Sequence, residues 1–119
     1  MHWKLDKNRP ICPQLCEQLC AGITTGHFAP GQKLLSVREL ALAAGVNPNT
    51  VQRAFEQLET QGVLYSVRGA GWFVAEDISA ANALRDSLVE AKVQALFAEL
   101  AALGMTAQEV KDVIKEWNT

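Results

Sequence analysis

Residues 45–53 read Gly-Val-Asn-Pro-Asn-Thr-Val-Gln-Arg, and they fix where a helix starts and which way it faces. Asn47 can cap that helix through its side-chain oxygen. Pro48 falls at the first helical position, where a missing N–H costs nothing. Downstream, Val51, Ala54, Phe55 and Leu58 share one face at helical spacing. Asn49, Thr50, Gln52 and Arg53 are left on the other. Amide, hydroxyl and guanidinium groups on the outward first turns of a short helix match the donor and acceptor pattern of base edges in a DNA major groove. Taken alone, the segment is more simply the solvated side of an ordinary amphipathic helix.

The preceding residues change that balance. Residues 36–44, Ser-Val-Arg-Glu-Leu-Ala-Leu-Ala-Ala, open with a capping box, Ser36 with Glu39 three residues on. Val37, Leu40 and Ala41 give the helix an apolar face, and Gly45 ends it. Two short helices separated by a few residues with a glycine in the turn form a helix-turn-helix. Gly62 closes the second helix, and Val63–Val67 and Trp72–Val74 then read as two short strands. Between them, Arg68-Gly69-Ala70-Gly71 is a tight glycine turn carrying one cation. The fold class that follows is α+β, a winged helix-turn-helix. Trp72 and Phe73 must point to opposite faces of their strand. Phe73 is the expected core residue, leaving Trp72 outward.

Residues 10–75 resemble the DNA-binding domain of the GntR family of bacterial transcription regulators. The resemblance runs through Pro10-Ile11, Gln14-Leu15, Pro30-Gly31-Gln32-Lys33-Leu34 and Ser36-Val37-Arg38-Glu39-Leu40-Ala41. It continues through Val46-Asn47-Pro48-Asn49-Thr50-Val51, Ala54-Phe55, Leu58-Glu59, Gly62 and Arg68-Gly69-Ala70-Gly71-Trp72-Phe73-Val74. The Val-Asn-Pro-Asn-Thr-Val segment and the short tail are similar to the YtrA-like branch. Two positions depart from the family pattern: Leu35 replaces the usual proline before the capping serine, and Trp72 replaces a small hydroxyl residue. Pattern and resemblance together nominate Ser36, Arg38, Asn47, Asn49, Thr50, Gln52, Arg53, Arg68, Gly69 and Gly71 as the DNA-binding set. The resemblance implies a dimer on a palindromic operator that blocks or tunes transcription.

The net charge of −2 is uneven along the chain. Residues 1–75 carry seven Lys/Arg against five acids, and residues 76–119 carry four against eight. A reading head of +2 is modestly basic, so phosphate binding must rest on placement and dimerisation rather than bulk charge. The expected domains are 1–75, the winged helix-turn-helix, and 76–119, a helical dimerisation tail.

From Asp77 the composition turns to helix formers, with no Gly or Pro until Gly104. Val89, Val93, Leu96, Leu100 and Leu103 make one apolar stripe. Leu84, Leu88, Ala91, Ala95, Ala98 and Ala102 make a second, about 140° around the helix. A second capping box, Thr106 to Glu109, opens a last helix with Val110, Val113, Ile114 and Trp117 on one face. That helix can cover one stripe but hardly both. The economical partner for the surplus is a second subunit about a two-fold axis, through Leu84, Leu88, Ala91, Ala95, Leu96 and Leu100. The alternative is that the surplus stripe packs back on the DNA-binding domain.

Cys12, Cys16 and Cys20 stand four apart, which is neither a zinc spacing nor a C-x-x-C redox pair. They read as small hydrophobes beside Leu15, Leu19 and Ile23, with a thiol sensor as the alternative. His2 and His27 lie far apart and suggest no metal site. No catalytic set or phosphate-cradling loop stands out, so neither an enzyme nor a cofactor is expected. The start His2-Trp3-Lys4-Leu5-Asp6 is not that of a signal peptide, and no run reaches the ~20 apolar residues of a membrane span; a cytoplasmic location is expected. A tail of this size cannot enclose an ordinary metabolite, so any effector would bind between subunits or between tail and head. The favoured function is a homodimeric regulator whose partners are double-stranded DNA and itself. The competing one is a winged-helix module that binds protein without specific DNA binding.

Overall fold

Side-chain caps set where the helices begin. In the computed structural model, which describes residues 1–117, the elements run α1 (Ile11–Thr24), α2 (Val37–Ala44), α3 (Pro48–Thr60), β1 (Leu64–Val67), β2 (Gly71–Val74), α4 (Ser79–Ala101) and α5 (Ala107–Lys115). The Ser36 hydroxyl accepts from the Glu39 N–H at 3.1 Å, and the Glu39 carboxylate accepts from the Ser36 N–H at 3.0 Å. The Ser36 N–H, with the Ser36 hydroxyl beside it, holds the Glu39 carboxyl below its ordinary range. Thr106 and Glu109 repeat the arrangement at α5. Asn47 Oδ1 accepts from the Asn49 N–H at 2.8 Å, with Pro48 in the first turn of α3. Gly45, left-handed at φ +69°, reverses the chain between α2 and α3 where a side chain would be strained.

These helices close over one core. Val51, Ala54, Phe55 and Leu58 of α3 are fully buried, and α3 packs against α1, α2 and β1. Leu15, Leu19 and Ile23 of α1 and Leu40 of α2 belong to the same cluster. β1 and β2 pair antiparallel with Leu64 opposite Val74 and Ser66 opposite Trp72. The loop before α2 borders β2: Lys33 bridges Phe73, and the Leu34 N–H donates to the Trp72 carbonyl at 2.8 Å.

The segment before α1 is held by two glutamines one turn apart. Gln14, buried, accepts from the Asp6 N–H at 2.7 Å and donates to the Asp6 carbonyl at 2.9 Å. Gln18 makes the same two-way contact with the Lys4 backbone. Each amide serves the arm as a neighbouring strand would, and Trp3 and Leu5 then pack against the core.

The chain divides into two compact units, Met1–Arg85 and Asp86–Thr119. The first takes in the opening turns of α4, beyond residue 75 where the composition places the boundary. Ala81 is 1% exposed, and the Cys20 thiol lies 3.2 Å from the Ala81 carbonyl. Leu84, expected on the dimer stripe, is half-buried against this same core.

In the second unit, α4 ends in a Schellman turn, with the Met105 N–H donating to Leu100 and the Gly104 N–H to Ala101. Val110 of α5 is buried. The rest of its expected packing face is not: Val113 and Ile114 are 48% exposed and Trp117 70%. Val89, Val93 and Leu96 of α4 are exposed as well. Leu96, Leu100, Val113, Ile114 and Trp117 line an apolar groove of about 600 Å³. Among the described residues, no helix is long and apolar enough to cross a membrane.

Candidate nucleic-acid interface

Burying Val51, Ala54, Phe55 and Leu58 forces the intervening side chains of α3 outward. Asn49 and Arg53 are exposed, and Thr50 and Gln52 half-buried, on the first two turns. Asn47 spends its side-chain oxygen on the helix cap, which leaves its amide N–H groups to donate. Gln52 is tied: its amide donates to Glu56 Oε1 at 2.8 Å. Glu56, one turn on, therefore stands in the outward row, a carboxylate that sequence reasoning misses. It can accept from a cytosine amino group, and it would disfavour a close phosphate.

α2 presents Arg38 beside its capped start. The Ser36 hydroxyl is taken up in the cap with Glu39. Arg38, Arg53 and Arg68 are exposed and make no ion pair among the described residues.

The wing is set by its register. Leu64 and Val74 are opposed and both buried, which fixes the inner face of the hairpin. Trp72, two residues before Val74, lies on that same face, and its ring packs 5.3 Å from that of Phe55. Phe73 is on the outer face, stacked on Tyr65 at 5.5 Å. The expected assignment of these two aromatics is thus reversed. Glu59 of α3 accepts from the Ser66 N–H at 3.0 Å and from its hydroxyl at 2.7 Å, tying the hairpin to the end of that helix. At the tip, Gly69 (φ +79°) and Gly71 (φ +115°) take conformations that side chains avoid, with Arg68 beside them. A Cβ at Gly71 would lie 3.4 Å from Lys33 Cε, so Lys33 runs alongside the wing and adds a cation to those nominated from sequence.

Cys12 and Cys16 line the joint between α1 and α3, while Cys20 faces the start of α4. The Cys12 and Cys16 thiols converge on Gln57 Oε1 at 3.5 and 3.6 Å. Burial, with Cys12 alongside, pushes the Cys16 thiol up to about 12. Burial raises Cys20 as well. Such thiols are poor nucleophiles, as packing residues would be. Among the described residues, no group of three His, Cys, Asp or Glu side chains is placed to hold a metal ion.

Of the residues nominated for the tail, Leu88 and Leu100 are half-buried, while Ala91, Ala95 and Leu96 are exposed.

Comparison with known proteins agrees with this geometry. The profile of the bacterial regulatory proteins of the gntR family matches residues 13–74. The HTH-type transcriptional repressor YtrA of Bacillus subtilis is 33% identical over 114 residues, covering 90% of this chain and 83% of its own. A GntR family transcriptional regulator from Listeria monocytogenes superposes with a TM-score of 0.82 at 33% identity, covering 96% of this chain and 100% of its own. The DNA-binding domain of AraR, solved in complex with operator ORX1, superposes with a TM-score of 0.56 at 33% identity over 63% of this chain and 99% of its own. These relatives are transcriptional regulators, not enzymes. A capped helix-turn-helix, a glycine-tipped wing and a short helical tail thus meet in one chain, which belongs to the gntR family of bacterial regulatory proteins.

Proposed function

We propose that this protein is a sequence-specific, DNA-binding transcriptional repressor that acts as a homodimer on a palindromic operator. The observation that carries the reading is the outward row Asn49, Thr50, Gln52 and Arg53 on a helix whose other face is fully buried. Such a helix can enter a major groove without disturbing its own core. Arg53 is the residue proposed to read guanine, Arg38 to bind phosphate or a base edge, and Arg68 to reach the backbone or a narrow minor groove. Ser36, Asn47, Gly69 and Gly71 shape and complete that contact.

The dimer reading is supported by the apolar side chains left open on α4 and α5. Contiguous exposed apolar surface on a small protein marks an interaction site. The groove lined by Leu96, Leu100, Val113, Ile114 and Trp117, with Leu88, Ala91 and Ala95 on the same unit, is proposed as the seat of a second copy. A dimer also answers the weak charge of a single head.

The test is a titration of the full chain into a duplex selected from a random library, beside a scrambled duplex, at rising salt. Specific binding that falls steeply with salt is expected. Equal binding to both duplexes would leave the winged helix as a protein-interaction module. In the same assay Arg68→Ala should weaken both duplexes alike and lower the salt slope by about one. A variant with the wild-type slope would remove the wing from the DNA contacts.

A further inference from the structure

We propose that Lys7, on the arm preceding α1, is a phosphate contact of the reading head, so that the DNA interface extends beyond the two helices and the wing. The inference rests on the DNA-binding reading above. Its ground is where the arm is held. Lys7 Nζ donates to the Gly45 carbonyl at 3.2 Å, on the turn between α2 and α3. Lys7, Ile11, Gly45, Val46, Asn47 and Thr50 line one open notch of about 270 Å³. Asn47 and Thr50 belong to the proposed reading set, so the ammonium stands at the edge of that surface.

The arm is held rather than loose. Gln14 grips Asp6 from both sides, and Gln18 grips Lys4. The neighbouring carboxylate does not neutralise Lys7: Asp6 is engaged by Arg9 Nε at 3.1 Å and by the Asn8 N–H at 2.9 Å. One bond to Gly45 leaves two ammonium donors pointing elsewhere, and a backbone phosphate in the notch would receive them. The profile shared by the family begins at residue 13, so the arm lies outside the segment it matches.

The competing role is local. A lysine on the Gly45 carbonyl also caps the C-terminal end of α2 and complements its dipole. Lys7→Gln removes the charge, and its two readouts separate the roles: a helix cap contributes to the melting temperature, whereas only a phosphate contact contributes to the salt slope. Full-length wild type, Lys7→Gln and Lys7→Arg are titrated against the library-selected duplex and its scrambled version across a salt series, and each is melted. Lys7→Gln should bind both duplexes roughly 3–10-fold more weakly near 0.1 M salt, with a slope of log affinity against log salt smaller by about one. Lys7→Arg should restore the wild-type slope. If Lys7→Gln keeps the wild-type slope while wild type binds with clear salt dependence, Lys7 is only a helix cap and the proposal is overturned. A lower melting temperature without a slope change overturns it equally. If wild type itself shows no salt-dependent binding to any duplex, the DNA reading fails and Lys7 falls with it.

Discussion

Leu96→Glu is expected to weaken binding to an inverted-repeat duplex by ~10²–10⁴-fold while the protomer stays folded. Leu96 is 40% exposed within its own chain, so a carboxylate there can reach water in the monomer. Only if a second copy covers the groove does the charge become buried and costly. Residues 1–85, with eight Lys/Arg against seven acids, are too weakly basic to bind DNA tightly alone. Two heads at fixed spacing turn the second contact into an intramolecular event, and the avidity follows without new contacts. Sedimentation should show the variant as a monomer, and circular dichroism should show wild-type helix content. A variant that remains dimeric and binds like wild type would take the groove out of the dimer.

Phe55→Ala is expected to cost about 3–5 kcal/mol, a large share of the stability of a small domain. Phe55 is fully buried at the point where α3 meets the wing, with Trp72 packed on its ring. Deleting the ring leaves a void beneath α3, and α3 and the hairpin lose the surface that sets their relative position. Thermal denaturation should show a melting temperature lower by more than ~10 °C. A shift of only a degree or two would mean that Phe55 does not hold the head together.

The caps are legible in the sequence because they are local. Ser36 with Glu39, Asn47 with Pro48, and Thr106 with Glu109 each place their partners within three residues, and all three helices start there. The wing is legible as a hairpin but not in its facing. Aromatic side chains sit on both faces of β2, so residue type cannot choose between Trp72 and Phe73. Alternation counted back from Val74 does choose, once Val74 is known to be buried.

The arm leaves no periodic trace. It is fixed by Gln14 and Gln18 bonding to backbone, and such contacts carry no hydrophobic signal. The shift in composition near Asp77 marks helix propensity rather than packing, which is why Ala81 and Leu84 belong with the head. A truncation meant to isolate the head therefore has to keep residues through Arg85; one after Glu76 would strip Ala81 from the core. The two stripes of α4 are readable from spacing. That α5 leaves so much of its own apolar face open is not, since coverage depends on the turn that joins them.

If the outward face of α3 reads base sequence, selecting bound sites from a random duplex library with wild type and with Arg53→Ala shows it most directly. Wild type should enrich an inverted repeat whose half-site centres lie about one helical turn, roughly 34 Å, apart. Arg53→Ala should lose preference at one symmetric position, at a cost of about 1–3 kcal/mol, and keep it elsewhere. If both proteins enrich the same sites to the same degree, or if neither enriches any, α3 is not the reading element.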